Sequence, residues 1–247
     1  MSALSDNEGM PPLALLAGGL ATRLHPLTAA TPKSMIQVAG EPFIAHQLRM
    51  LACQSITEVV ICTGFLSEQI ESFVQDGARF GCHVRYSRDG DRPLGTGGAL
   101  RRALPLLGER FMVMYGDSYL RTLFRPVYAA FRASGRPALM TVYRNTDRFD
   151  KSNVEFMDGV IRHYDKVHHT AAMSYIDYGL SVLDAIVLSA RPTDVAFDLA
   201  NLYQELADRD LLAGYEVSER FYEVGSPAGL AETDAFLRMT SGDRSKD

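Results

Sequence analysis

The sequence predicts an α/β fold in which a mostly parallel sheet is flanked by helices and passes into a smaller antiparallel portion. Three observations predict it. Short, nearly continuous apolar runs recur through the first half, as expected of strands covered on both faces. Segments of helical period separate them, and this alternation builds a parallel sheet with crossover helices. Beyond about Arg144 the runs are instead joined by turn signals, chiefly Asp158-Gly159, a dipeptide that closes hairpins.

The first predicted strand is Leu13 to Ala17. A helix over 42–52 opens at a proline and sets Phe43, Ile44, Gln47, Leu48 and Leu51 at helical spacing. Val59 to Cys62 is the second strand. Ser67 is placed to cap a helix over 67–74 that carries Ile70, Phe73 and Val74 on one face. Strands over 111–115 and 138–143 alternate with helices over 98–107 and 123–133. In the second half, 154–156 and 160–164 flank the hairpin turn, and 176–183 is a further strand. Residues 1–10 and 241–247 are polar ends expected to be mobile. Between them, 11–240 reads as one domain, with halves at about 11–145 and 146–240.

A chain of 247 residues that is 47% hydrophobic and 22% charged can bury a core without staples. Its net charge of -5 gives no basic footprint, so nucleic acid and anionic membrane are not expected partners. The 3 cysteines form no CxxC pair and suit a reducing compartment. No apolar run approaches the ~20 residues that span a bilayer. The polar, acidic N-terminus lacks the features of a signal peptide, so a cytoplasmic location is expected.

Chemistry-bearing residues begin where the first strand ends, in Ala17-Gly18-Gly19-Leu20-Ala21-Thr22-Arg23-Leu24, with Pro32-Lys33 downstream. A small-residue loop there exposes backbone N–H groups to an anion, at the sheet edge where such folds bind ligands. Arg23 and Lys33 add two positive charges suited to a polyphosphate. The loop is not a P-loop, which needs GxxxxGK[ST]. Nor does Gly95-Thr96-Gly97-Gly98-Ala99-Leu100 complete the dinucleotide fingerprint, since leucine stands at its last position. Read alone, Gly18-Gly19 is equally an ordinary strand-to-loop turn. His168-His169, adjacent on the chain, reads as polar loop because neighbours on a strand face opposite ways.

Taken together and in order, Leu-Ala-Gly-Gly-x-x-Thr-Arg-Leu, Thr-Pro-Lys, Gly-Thr-Gly-Gly-Ala-Leu and Tyr-Gly-Asp resemble the sugar-phosphate nucleotidyltransferase family, over about Leu13 to Leu237. The resemblance implies a Rossmann-like nucleotide-diphospho-sugar transferase fold with an antiparallel sugar-binding portion. It implies Mg²⁺-dependent joining of a nucleoside triphosphate to a sugar 1-phosphate, with release of diphosphate. By the same resemblance, the backbone of Leu16, Ala17, Gly18 and Gly19 wraps the triphosphate, Arg23 holds its phosphates and Lys33 stands beside the α-phosphate. Thr96, Gly97 and Gly98 match the segment that reads the nucleobase. Asp117 matches a Mg²⁺ ligand, and its second carboxylate falls on Glu223, where the family has aspartate.

Lys166 corresponds to the lysine that contacts the acceptor's phosphate, although Val167 replaces the family's proline. Asn153, Asp177, Tyr178 and Gly179 align with positions that touch sugar hydroxyls. The Gly95 to Leu100 segment is similar to heptose 1-phosphate guanylyltransferases and the opening half to muramic acid uridylyltransferases. This implies GTP with a heptose or hexose 1-phosphate first. CTP or UTP with N-acetylmuramic acid 1-phosphate, a phosphocholine-like acceptor or another phosphorylated small molecule stands as the alternative. A non-catalytic nucleotide-binding module is the reading of another class, motivated by Glu223. Assembly into a homo-oligomer is compatible with the family.

Overall fold

A computed structural model describes residues 9–19 and 30–243. In chain order, β1 (Leu13–Leu16) precedes a 3₁₀ turn at Lys33–Met35, β2 (Gln37–Val38), β3 (Glu41–Pro42) and α1 (Phe43–Cys53). Then come β4 (Glu58–Thr63), α2 (Ser67–Val74), β5 (His83–Arg88), α3 (Gly95–Leu107), β6 (Arg110–Tyr115), β7 (Ser118–Tyr119), α4 (Phe124–Ser134) and β8 (Ala138–Arg144). The second half holds β9 (Val154–Met157), β10 (Val160–Tyr164), β11 (Tyr175–Asp184), α5 (Ile186–Ser189), α6 (Leu199–Asp208), β12 (Leu212–Val217), β13 (Tyr222–Glu223) and α7 (Pro227–Asp243).

These strands form a 9-stranded sheet in the order β5-β4-β1-β6-β11-β8-β12-β10-β9. The β5-β4-β1-β6 block is parallel throughout. The chain builds outward from β1 through β4 to β5, then returns to lay β6 on the other side of β1. That reversal leaves a crevice at the carboxyl ends of β1 and β6, the switch point where open α/β sheets bind ligands. Beyond β6 the sheet turns mixed: β11 runs antiparallel to β6 and β8, and β9 and β10 form the expected hairpin. Asp158 and Gly159 close it with φ of 53° and 77°, the backbone a two-residue hairpin turn requires.

Side chains alternate across the sheet as strand geometry requires. Leu13 and Leu15 enter one core with Ile44, Leu48 and Leu51 of α1 and with Phe124, Val127 and Phe131 of α4. Ala14 and Leu16 enter the other, with Leu100, Ala103 and Leu107 of α3 and with Leu199, Leu202 and Leu206 of α6. A small third cluster of Val38, Phe43, Val224 and Leu237 fastens α7 beside β2.

Two sequence expectations are corrected. Ser67 makes no capping bond; Leu66, at φ 57°, is the residue before α2, so a left-handed turn and not a hydroxyl starts that helix. Helix α7 runs to Asp243, into the segment expected to be a mobile tail from 241, because polarity alone does not end a helix. Among the described residues no helix is long and apolar enough to cross a membrane.

Candidate functional site

Two cavities open at the carboxyl edge of the sheet, and Tyr115 and Asp117 belong to both. The first, about 360 Å³, is lined by Leu16, Ala17, Gly18 and Gly19 at the end of β1, by Lys33 and Ser34, and by Thr96 at the start of α3. Small residues are needed here. Gly116 donates its N–H to Leu16 O at 2.9 Å, and a Cβ on Gly116 would meet that oxygen at 2.6 Å. Thus the glycine of Tyr-Gly-Asp lets the loop after β6 lie against the loop after β1. Arg23, expected to serve this cavity, lies outside the described residues.

Lys33 Nζ donates to Asp117 Oδ2 at 2.6 Å. Gly225 makes room for that amine, since a Cβ there would stand 2.6 Å from it. The segment carrying Asp117 is held from beneath by Gln47, a fully buried side chain on α1. Its Nε2 donates to Ser118 O at 2.8 Å and to Tyr115 O at 3.2 Å. The sequence reading placed Gln47 on an apolar helix face; burying an amide among leucines was the available signal that it binds something. Gln47→Leu keeps the volume and strands both carbonyls. It is expected to lower stability by about 1–3 kcal/mol, measured by thermal unfolding, and to misplace Asp117.

The Gly95 to Leu100 segment reaches the first cavity and also packs against the connection before α6. Thr96 lines the cavity, yet its hydroxyl donates to Asp198 Oδ1 at 2.9 Å and accepts from Leu199 N at 2.8 Å, joining α3 to α6. Gly97 and Gly98 donate their N–H groups to Phe197 O at 3.0 and 3.3 Å. A Cβ on Gly97 would lie 2.1 Å from the Phe197 ring, so these glycines serve close helix packing. Their backbone donors are therefore not offered to the cavity. Asp89, which the sequence reading passed over, lines it instead, 8% exposed.

The second cavity, about 470 Å³, is lined by Asn153, Lys166, Asp177, Glu223 and Arg220 among others. Asp177 sits where the pairing of β11 with β8 shifts register, a bulge that re-aims a side chain. Its Oδ1 accepts from Gly179 N at 2.9 Å, and the Tyr115 and Tyr164 hydroxyls each donate to Oδ2 at 3.4 Å. Burial pushes the Asp177 carboxyl upward, against the pull of Lys166 and of those donors. Asn153 Oδ1 accepts from Asp177 N at 3.0 Å and so orients the acid.

Tyr178 and Gly179 are not lining residues: the Tyr178 hydroxyl accepts from Arg121 N at 3.1 Å inside the core, and Gly179, at φ 96°, supplies the bend beneath Tyr115. A turn built on Asp165 presents Lys166. Asp165 accepts from Val167 N at 2.7 Å and His168 N at 3.0 Å, which hold its carboxyl down at about 2. Val167 thus does what proline could not, since proline has no N–H to donate. Lys166 Nζ stands 5.3 Å from the Tyr115 ring centre, at the junction of the cavities.

Glu223 pairs across from Ser118, and Val224 N donates to Asp117 O at 2.9 Å, so the two expected metal ligands are adjacent. The Glu223 carboxylate is nevertheless occupied. It accepts from Gly225 N and, at 3.1 and 2.5 Å, from Ser226 N and Ser226 Oγ, capping α7. The extra methylene lets it fold back onto its own helix. Among the described residues no group of three or more His, Cys, Asp or Glu side chains is set to hold a metal. Asp117 offers a carboxylate facing both cavities, which fits Mg²⁺ because that ion takes one or two carboxylates plus phosphate oxygens and water.

A sequence profile described as "Nucleotidyl transferase" matches residues 14–209. An N-acetylmuramate alpha-1-phosphate uridylyltransferase of Neisseria meningitidis serogroup B is 41% identical over 104 residues, 42% of this chain and 45% of that protein. The catalytic subunit beta of a mannose-1-phosphate guanylyltransferase from Drosophila pseudoobscura pseudoobscura is 24% identical over 86% of this chain and 58% of its own length. The chain therefore spans about half the length of these relatives. A Bacillus anthracis protein described as a glucose-1-phosphate thymidylyltransferase shares the fold, with a TM-score of 0.81 at 24% identity over 93% of this chain and 96% of its own.

Proposed function

The chain belongs to the nucleotidyl transferase family, and from that premise we propose that it transfers a nucleotidyl group from a nucleoside triphosphate to a sugar 1-phosphate, releasing diphosphate. The observation that carries this reading is the junction of two cavities at Asp117 and Tyr115, with Lys33 on the first side and Lys166 on the second. A triphosphate in the first cavity and a phosphate in the second meet there.

An oxygen of the acceptor phosphate attacks the α-phosphorus. The new P–O bond forms as the bond to the α–β bridging oxygen breaks, and diphosphate leaves with that electron pair. No general base is required, because a phosphate monoester with a second pKa near ~6 is already largely dianionic at neutral pH. Lys33 faces the charge that accumulates at the α-phosphate, and Lys166 holds the acceptor's phosphate. Arg23 is assigned to the triphosphate by its motif alone. Mg²⁺, held by Asp117, would neutralise phosphate oxygens. Asn153 and Asp177 face the acceptor's hydroxyls. We favour GTP and a heptose or hexose 1-phosphate, and the free thiols of Cys53, Cys62 and Cys82 suit a reducing, cytoplasmic setting.

The test is diphosphate release with Mg²⁺, each nucleoside triphosphate in turn and a panel of sugar 1-phosphates. Acceptor-dependent release with one triphosphate supports the transferase. Release only with phosphocholine-like acceptors would move the acceptor class, and none with any acceptor would leave a binding module. Lys166→Ala is expected to raise KM for the acceptor roughly tenfold or more while leaving KM for the triphosphate little changed. Equal effects on both constants would remove Lys166 from acceptor binding.

A further inference from the structure

The second cavity carries one cation more than the transfer step uses. Lys166, Arg148 and Arg220 line it, together with Asp117, Asp150, Asp177, Glu223 and Glu232. Each of these acids is already engaged. Asp117 takes the Lys33 amine at 2.6 Å, and Glu232 takes Arg220 Nη2 at 2.6 Å. Glu223 caps α7, and Asp177 accepts from Gly179 N and the two tyrosine hydroxyls. Asp150 Oδ1 accepts from Lys151 N at 2.7 Å. Arg220 is held by Glu232 and donates from Nε to Phe221 O at 3.2 Å. That leaves Lys166 and Arg148, whose charged ends make no ion pair or hydrogen bond among the described residues. Lys166 is assigned to the acceptor's 1-phosphate; Arg148 has no task.

The loop that presents Arg148, between β8 and β9, is built to keep its shape. Asn145 and Ser152 are buried at its base. Asn145 Nδ2 donates to Asp150 O at 2.6 Å and to Ser152 Oγ at 3.2 Å, and its Oδ1 accepts from Phe149 N at 3.1 Å. Asp147 Oδ1 accepts from Ser152 N at 2.7 Å. The Phe149 ring packs on Tyr143 and Phe221, with centres 5.9 and 6.4 Å away, and the Arg148 guanidinium stands 5.3 Å from its centre. A guanidinium on a fixed loop at a cavity wall gives up less freedom on meeting an anion than one on a loose chain.

We infer that the acceptor carries a second anionic group besides its 1-phosphate, a carboxylate or a further phosphate on the sugar, and that Arg148 receives it. The planar fork of arginine matches either group with two parallel N–H donors. A neutral sugar 1-phosphate leaves that fork without a partner as the cavity fills, which selects against it. The inference rests on the transferase reading, with the acceptor in the second cavity.

The experiment follows diphosphate release by the full chain with Mg²⁺ and each nucleoside triphosphate, using matched acceptors. Glucuronic acid 1-phosphate and glucose 1,6-bisphosphate are each set against glucose 1-phosphate, and N-acetylmuramic acid 1-phosphate against N-acetylglucosamine 1-phosphate. At least one acidic acceptor is expected to exceed its neutral partner in kcat/KM by roughly tenfold or more, and which one does so tells carboxylate from phosphate. Arg148→Gln is expected to cut that ratio roughly tenfold, and Arg148→Lys to cut it less. Neutral acceptors used as well as the acidic ones overturn the inference and leave the transferase standing. An undiminished ratio in Arg148→Gln overturns it too, as does equal slowing of both members of a pair, the mark of a structural role. Should no acceptor release diphosphate, calorimetric titration with the same compounds decides. Tighter binding of an acidic member by roughly tenfold upholds the inference and defeats the transferase alone, whereas equal or absent binding overturns both.

Discussion

Lys33→Ala is expected to lower kcat by roughly 10²–10³-fold while the fold and the affinity for triphosphate stay close to wild type. The argument is differential. Lys33 is 14% exposed and points its amine at Asp117 Oδ2, 2.6 Å away, at the junction of the cavities. A cation fixed there meets more negative charge at the α-phosphate during transfer than before it, so its contribution falls on the rate and not on binding. Stability is little involved. Asp117 is one-third exposed, and a pair that solvent screens is worth at most about 1 kcal/mol. Melting should therefore move by a few degrees at most. Single-turnover kinetics with saturating substrates check the claim, and near-normal turnover in this variant would remove Lys33 from the mechanism. Lys33→Arg should not restore the rate, because a planar fork cannot replace a compact ammonium packed against Gly225.

What the sequence disclosed depends on whether a constraint is local. Strand and helix periods are local, and so β1, β4, β6, β8 and the helices between them were readable, as was the Asp158-Gly159 turn. His83–Arg88 was missed because His83, Arg85 and Arg88 break its apolar run on an edge strand that is covered less completely. Lys33, Asp117 and Lys166 were legible as candidates because each sits in a short motif, and the fold places them around two joined cavities. The support that Gln47 gives was not legible, because it depends on who lies across the sheet. Nothing near Gln47 in the chain announces that its amide will meet the carbonyls of Tyr115 and Ser118. Glycine motifs carry a second, non-local constraint. In Gly97 and Gly98 the steric demand that is visible is tertiary: a Cβ would meet the Phe197 ring at Gly97 and the Val195 carbonyl at Gly98, both in the connection before α6.

Glu223 is where motif and structure part, and its replacement is expected to act on stability. Where the motif expects a metal-binding aspartate, the longer side chain takes three hydrogen bonds from Gly225 N, Ser226 N and Ser226 Oγ. It lies so close to Gly229 that a Cβ there would stand 1.8 Å from Oε1. A carboxylate has about four acceptor sites, so little capacity is left for a cation. As an anion at the N-terminus of α7 it also meets the positive end of the helix dipole. Glu223→Ala is therefore expected to cost about 1–2 kcal/mol, a fall of roughly 2–8 °C in Tm for a chain of this size. Glu223→Gln keeps one acceptor oxygen and should recover part of that loss. The two roles separate on magnesium. If Glu223 is a cap, the Mg²⁺ concentration giving half-maximal diphosphate release in Glu223→Gln should stay within about threefold of wild type, whereas Asp117→Asn should abolish release. A shift of tenfold or more in the glutamine variant, with Tm unchanged, would return Glu223 to the metal and leave the Ser226 hydroxyl to cap α7 by itself.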